Sequence, residues 1–360
     1  MSKSAVRIPP FERVMAIVIT LFMFSPVSAQ NRITSLTEKV IDNTKVILKE
    51  TESFIEKNLD RKDSIYVLPN KYNMTIMPQY SYGYEYYRFS SDESEQSITL
   101  TPNSSHRLGL YIGWRWLFLG YSFELSDNKP QTDLNFSFYT SAIGIDLFYR
   151  KRGEEYNIKK LDGFYDDTMK ELKDYNHKFS GLSVKQKGIN LYYIFNNKKF
   201  SYPAAYSQST NQRISAGSFI LGLSYNEQSF VFDHTELDVP IRGQLDNELK
   251  FKDVKYKDFS INFGYSYNWV FAKDFLANIS MTPAIGYKNT SLKMHNSKEF
   301  LSSINFDFIT RAAIVYNNSK YYAGASLVSH TYSYSRNSLS ILNGFGIINF
   351  YFGVNFWPRK

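Results

Sequence analysis

One 13-residue run, Phe259 to Phe271, constrains the fold of this chain more than any other feature. Its odd positions are all aromatic apart from one isoleucine, and its even positions up to Asn268 are Ser, Asn or Gly. Successive side chains of a strand point to opposite faces, so this strand has one large apolar face and one small polar face. An apolar outside with a polar inside is typical of a transmembrane β-barrel.

The composition of the whole chain agrees with membrane strands and disagrees with membrane helices. The 360 residues are 17% aromatic, yet the mean hydropathy is -0.36. A helical membrane protein needs repeated apolar runs of about 20 residues, and the one long apolar run here lies at the N-terminus. Strands of about 10 alternating residues average to mild polarity, which predicts an all-β, antiparallel outer-membrane barrel.

Composition also excludes several kinds of site. The chain has no cysteine, so disulfides, thiol nucleophiles and Cys-ligated metals are excluded. The net charge of +8 comes without a basic stripe or a reading motif, so no nucleic-acid partner is predicted. No two of the five histidines have the spacing of a metal pair, and neither a metal site nor a cofactor is predicted. The histidines are His106, His177, His234, His295 and His330.

The first 29 residues have the pattern of a signal peptide. Lys3, Arg7 and Arg13 precede an apolar run of about 11 residues, and Val27-Ser28-Ala29 gives the small-x-small end of a cleavage site. We therefore expect cleavage after Ala29, export, and insertion into the outer membrane of a Gram-negative cell. The expected partners are outer-membrane lipid, the barrel assembly machinery, and a small solute or surface ligand.

Residues 30–71 are predicted to lie in the periplasm as an amphipathic helix and a linker. Apolar residues recur at intervals of three, four or seven between Thr34 and Leu59, with Glu and Lys between them. Three roles remain open for this helix: it restricts the lumen, it binds a periplasmic partner, or it lies against the rim of the barrel. Asp60 to Lys71 is the linker.

Residues 72–360 are predicted to form a barrel of about twelve strands, in keeping with the even strand numbers of bacterial barrels. A change of parity within the fifth predicted strand indicates a bulge. The predicted strands are Met74–Phe89, Gln96–Thr101, Arg107–Trp116, Leu117–Glu124, Leu134–Arg150, Gly188–Phe195, Arg213–Tyr225, Phe259–Phe271, Phe275–Lys288, Ile304–Tyr316, Tyr321–Ser335 and Gly344–Phe356.

The connections between these strands fit one orientation with two exceptions. A periplasmic N-terminus places the long connections Lys151–Lys187 and Asn226–Asp258 outside the cell, where longer loops belong. The turn at Arg115 is then very tight for an outer loop, and Asn196–Gln212 is long for a periplasmic turn. The fixed backbone of Pro203 and the small residues after it predict that Asn196 to Ser218 packs into the periplasmic mouth and, together with the Thr34 to Leu59 helix, restricts the pore.

Strand parity predicts a set of charged side chains facing the lumen. Opposite charges in a confined interior pair with each other, so these groups form either a salt-bridged network that fills the barrel or a selectivity constriction. The set is Glu85, Arg107, Arg115, Glu124, Asp146, Arg150, Asp307 and Arg311.

The favoured function is non-enzymatic: a pore for small solutes, or an interaction protein of the envelope or surface. The alternative is a lipid-active barrel hydrolase, which needs a histidine near a serine at the rim or on the outer face. His330 lies among Ser326, Ser329 and Ser333, but parity points it inward, away from lipid. No catalytic residue is therefore assigned.

A family resemblance rests on three stretches of sequence. These are Lys199-Phe-Ser-Tyr-Pro-Ala-Ala-Tyr-Ser-Gln208, then Gln212 with Ser215-Ala-Gly-Ser218, and Phe148-Tyr-Arg-Lys-Arg-Gly153. Together they resemble the outer-membrane proteins grouped as domain of unknown function 4421, over most of the chain after Ile65. The resemblance implies an outer-membrane β-barrel without an assigned activity, and it carries over no catalytic residues.

Overall fold

The structure is a computed structural model that describes residues 53–115, 117–125, 132–153, 155–165, 171–172, 177–293, 298–336 and 338–359. The chain divides into two compact units, Met1–Arg61 and Lys62–Lys360. The predicted signal peptide and residues 30–52 lie outside the described residues. In the described part of the first unit, residues 53–58 are helical. None of the helices in the described ranges is long and apolar enough to cross a membrane.

The described residues of the second unit form seventeen strands, twelve of which close into an antiparallel barrel. In chain order they are β1 (Val67–Pro69), β2 (Tyr72–Ser91), β3 (Ser97–Pro102), β4 (Ser105–Trp114), β5 (Leu117–Glu124), β6 (Thr132–Tyr139), β7 (Ile143–Arg152), β8 (Tyr156–Asp162), β9 (His177–Phe179), β10 (Leu182–Ile194), β11 (Thr210–Gln212), β12 (Ala216–Phe232), β13 (Asp253–Ala272), β14 (Phe275–Lys293), β15 (Lys298–Asn317), β16 (Tyr321–Arg336) and β17 (Leu339–Pro358). The barrel order is β2, β4, β5, β6, β7, β10, β12, β13, β14, β15, β16 and β17, and β17 pairs with β2 to close it.

The predicted count of twelve barrel strands is confirmed, although two of the predicted strands were wrong. One lies outside the barrel wall and the other contains two barrel strands, so the total is unchanged. Gln96–Thr101 belongs to β3, which continues through β8 and β9 beside the end of β2 and is not part of the barrel wall. Leu134–Arg150 contains two barrel strands rather than one bulged strand. Thr140 turns the chain between them, because its amide donates to Ile143 O and its side-chain oxygen accepts from Ile143 N, both at 2.9 Å. No Gly or Pro marks this turn.

The revised strands remove one of the two awkward connections. Arg115 now lies at the same end of the barrel as the short turns near Thr140, Asp274 and Ser319, and we call this the turn end. The long connections Lys151–Lys187 and Asn226–Asp258 lie at the opposite end, the loop end. Short turns are periplasmic and long loops extracellular in such barrels, so we expect the turn end to face the periplasm.

The outward face of β13 is a continuous apolar band. Phe259, Phe263 and Trp269 are each more than half exposed, whereas Ser260 and Asn268 between them are at most 3% exposed. Twelve residue steps at about 3.3 Å span about 40 Å along the strand, or about 30 Å across the membrane at a tilt near 40°. That height matches the hydrocarbon core of a bilayer.

The alternation inverts at the loop end of the same strand. Beyond Asp258, the inward residues are apolar, as at Val254 and Tyr256, and the outward residues are Lys255 and Lys257. Here the barrel wall rises out of the membrane, and water outside favours the pattern of a soluble protein. The inward apolar side chains pack together as a loop-end core, which includes Phe89, Leu100, Tyr156, Phe179, Phe230, Phe232, Leu249 and Phe251.

Candidate functional site

A cavity of about 200 Å³ lies in the lumen between the two ends, and we call it the central chamber. Strands on both sides of the barrel closure line it, so its residues come from distant parts of the sequence. Its charged lining residues are Arg107, Arg150, Arg311 and Asp146. Asp146 lies beside Arg311 and Glu124 beside Arg107, so the three arginines outnumber these two acids by one. A net positive charge favours an anionic occupant.

Arg311 is fixed at the turn-end side of the chamber. Its guanidinium Nη2 lies 3.2 Å from Asp146 Oδ2, and Asp146 Oδ1 accepts hydrogen bonds from Ser137 Oγ and Tyr139 OH. The guanidinium also lies 5.7 to 5.9 Å from the ring centroids of Tyr192, Tyr202 and Tyr206. Both the carboxylate and the rings stabilise the positive charge, so Arg311 is held in one orientation.

Arg150 and His330 share an aromatic ring. The Arg150 guanidinium lies 4.0 Å from the centroid of Phe345, and the His330 ring stacks on Phe345 at 4.7 Å. His330 Nδ1 is 3.3 Å from Tyr332 OH. The inward direction of His330 agrees with its parity, and this geometry holds it in the barrel interior.

Other predicted lumen charges pair two by two rather than in one network. Arg107 Nε lies 3.9 Å from Glu124 Oε2, and both groups bond to Ser105 Oγ. Glu85 Oε1 accepts from Arg152 Nε at 2.8 Å, and Asp307 Oδ1 lies 2.9 Å from Lys288 Nζ. These charges therefore lie in separate pairs and not in one continuous ring.

Arg115 lies elsewhere than parity suggests. It occupies the turn between β4 and β5 with a φ of 55°, and its Nε donates to Asn73 Oδ1 at 3.0 Å. A turn residue interrupts the two-residue alternation, so parity does not apply to it. Arg115 therefore lies at the rim of the turn end, apart from the chamber.

Three charged interior residues are absent from the predicted set. Arg152 lies beyond the predicted end of its strand, and Asp258 lies before the predicted start of β13. Lys288 could have been included from the sequence, because the parity that points Ser280 inward also points Lys288 inward. Lys288 and Asp258 are both completely buried and are register neighbours.

The connection between β10 and β12 packs inside the barrel at the turn end, and we call Asn196 to Gln212 the mouth segment. Its Phe200, Tyr202, Ala204 and Ala205 side chains are at most 3% exposed. Pro203 begins a short helix, Pro203–Tyr206, and β11 at the end of the segment pairs with β1. This packing explains why the connection is long for a periplasmic turn.

Polar groups of the barrel wall hold the mouth segment. Asn268 Nδ2 donates to Ser201 O at 2.8 Å and to Gln212 Oε1 at 3.1 Å. Tyr206 OH donates to Asn278 Oδ1 at 2.6 Å. Asn268 and Asn278 are inward positions of the apolar-outside strands, so their amides are available to a segment inside the lumen.

The closed twelve-strand barrel, its apolar outer band and its polar interior define an integral β-barrel of the outer membrane. The chain belongs to the family described as Domain of unknown function (DUF4421), which matches residues 61–356. This confirms the resemblance drawn from the mouth segment and the end of β7.

The chain is similar to several solved structures that are far from it in sequence. The outer membrane protease OmpT from Escherichia coli is 11% identical, with 81% of this chain and 98% of that chain covered and a TM-score of 0.36. The attachment invasion locus protein Ail of Yersinia pestis is 9% identical, with 78% and 99% covered and a TM-score of 0.25. The toluene transporter TodX of Pseudomonas putida is 9% identical, with 79% and 90% covered and a TM-score of 0.29. Comparison with curated proteins gives no match.

Within the ranges that the structure describes, no three His, Asp or Glu residues are grouped to hold a metal ion.

Proposed function

We propose that this protein is a non-enzymatic outer-membrane barrel that binds a small anionic solute in its central chamber and passes it when the mouth segment moves. The observation that carries the proposal is a cationic chamber between the mouth segment and the loop-end core. Its volume of about 200 Å³ equals roughly seven water molecules at about 30 Å³ each, which suits a small solute.

The two ends of the lumen differ in how firmly they are closed. The loop-end core buries large aromatic and aliphatic side chains, each contributing about 1.5–3 kcal/mol. The mouth segment also buries apolar side chains against the wall, Phe200 and Tyr202 among them, but in smaller clusters than the loop-end core. Its other contacts include hydrogen bonds, whose net contribution is about 0.5–1.5 kcal/mol each because water replaces the partner. The mouth segment is therefore the end that opens at the lower cost in free energy.

The position of His330 supports a non-enzymatic function. Its ring stacks on Phe345 inside the barrel, whereas a lipid substrate meets the outer face. Purified protein in phospholipid vesicles is expected to release no fatty acid.

Single-channel recording in planar bilayers tests the gate. The Asn268→Ala/Asn278→Ala variant loses three hydrogen bonds to the mouth segment, so its open probability should rise about a hundredfold at about 1 kcal/mol per bond. Asn262→Ala is the matched control, since its amide bonds to Ser224 Oγ within the wall. Equal open probabilities in the two variants would reject the gate.

Ion selectivity tests the solute class separately. The open variant should prefer anions, and adding Arg150→Gln should lower the anion-to-cation permeability ratio because one of three chamber arginines is lost. Cation preference in the open variant would reject an anionic solute while leaving the gate intact.

A further inference from the structure

Two rows of polar side chains cross the outer face of the barrel directly above the apolar band. Strand register places Lys187, Glu227, Lys257 and Asn289 side by side on β10, β12, β13 and β14. The row above them toward the loop end is Lys185, Ser229, Lys255 and Ser291. All eight residues line an open groove of about 960 Å³.

The row directly below is entirely apolar. It consists of Ile189, Tyr225, Phe259, Tyr287 and Ile304, which are neighbours in the same register and are all exposed. The change from apolar to polar occurs within two residues along each strand, and the lysines lie on β10 and β13. The rows therefore mark the level where acyl chains end and lipid headgroups begin, and the loop end makes this the outer leaflet.

The groove carries a net positive charge. Lys187 Nζ and Lys257 Nζ lie 2.8 Å and 4.0 Å from the two carboxylate oxygens of Glu227, so one acid is shared by two lysines. Lys255 Nζ lies 2.8 Å from Asp253. Four lysines against these two acids leave a charge of +2, and the lysine side chains are well exposed.

We propose that this groove, the lysine groove, binds the phosphate group of a phosphorylated glycolipid in the outer leaflet. The acyl chains lie against the apolar row, the phosphate reaches the lysines, and the sugar occupies the groove beside Ser229, Ser291 and the exposed ring of Phe300. A phosphate monoester carries a charge of about −1.5 to −2 near neutral pH, which the groove's charge of +2 complements. Lysine ammonium groups bind phosphate as mobile point charges, which suits a headgroup that is itself mobile.

A glycolipid fits these observations better than a protein partner does. The lysines lie in two adjacent rows directly above the apolar row, and that apolar row continues into the lipid. A protein partner bound from solution would contact the loop-end surface, whereas this groove opens beside the bilayer.

Binding of lipid A to the full-length protein in neutral detergent tests the proposal. Titration of diphosphorylated lipid A, with native mass spectrometry of the complexes, gives its Kd. The quadruple variant K185Q/K187Q/K255Q/K257Q is expected to bind about a hundredfold more weakly, since four cations are lost and each favours an anionic headgroup. The matched control K198Q/K199Q/K273Q/K320Q removes four exposed lysines at the turn end, so its Kd should stay unchanged.

Two further measurements separate phosphate recognition from general lipid adsorption. Dephosphorylated lipid A should bind the wild type as weakly as the diphosphorylated form binds the groove variant. Glu227→Gln should tighten binding several-fold, because Lys187 and Lys257 lose their acidic neighbour. Equal affinity for the two lipids, or equal losses in the groove variant and the turn-end control, would overturn the proposal.

Discussion

Lys288 is the residue whose removal should destabilise the barrel interior most. Its side chain is completely buried, its Nζ lies 2.9 Å from Asp307 Oδ1, and it donates to Ser333 O at 2.7 Å. The rings of Tyr256 and Tyr332 lie 5.4 and 5.7 Å from the ammonium group. Asp258 is its register neighbour, so Lys288 is surrounded by groups that stabilise a cation.

Lys288→Met keeps most of the side-chain volume and removes the charge. Two buried carboxylates, Asp258 and Asp307, would then remain near each other without the ammonium group. Breaking a buried ion pair by removing one partner costs about 3–5 kcal/mol, because the remaining charge stays out of water. We therefore expect the free energy of unfolding to fall by about that amount.

Urea unfolding in lipid vesicles, followed by tryptophan fluorescence and by heat-modifiable gel migration, measures this loss. Lys293→Met on the same strand is the control, since Lys293 is exposed, and it should change the unfolding free energy by less than about 0.5 kcal/mol. Adding Asp307→Asn to Lys288→Met should restore at least half of the loss. A loss below about 1 kcal/mol for Lys288→Met, or a double variant less stable than the single one, would refute the reasoning.

Two other predictions concern the membrane boundary and the loop end. Phe263→Arg, in the middle of the outward band, should lower the unfolding free energy by about 2–4 kcal/mol. Val231→Arg points outward above the lower row of the lysine groove and should leave the unfolding free energy nearly unchanged. Equal losses of the two variants in urea unfolding would contradict a membrane boundary at that row. Asp246, in the connection between β12 and β13, accepts hydrogen bonds from Ser91 and Ser94 that hold the pKa of its carboxyl below the ordinary 3.8. Because its pKa is lowered, the ionised carboxyl of Asp246 stabilises the folded connection at pH values above the ordinary pKa. This stabilisation is lost as the pH falls through the lowered pKa of the folded protein. Amide exchange of Val239–Gln244, corrected for its intrinsic pH dependence, should therefore accelerate below about pH 4. In Asp246→Asn that acceleration should be absent, and an identical pH profile in both proteins would exclude Asp246 as its cause.

Local pattern alone predicted the fold class and the position in the cell. Side chains alternate with a period of two in any strand, so Phe259–Phe271 reveals an apolar face and a polar face without any neighbour. A membrane requires each backbone group to be paired within the protein, which leaves a closed barrel as the arrangement for such strands. The inward direction of Asp146, Asp307 and Arg311 follows from the same period.

Tertiary structure decided which residues meet. Parity reports the face of a side chain but not its partner, and Arg311 and Asp146 are 165 positions apart in sequence. Whether an alternating strand joins the barrel wall depends on its neighbours, so the pattern alone places Gln96–Thr101 in the wall although it lies outside. The turn at Thr140 has no Gly or Pro to mark it, so the pattern alone predicts one strand where the barrel has two. The inversion of the pattern at Asp258 likewise depends on where the membrane ends, and that level appears only when the registers of adjacent strands are known.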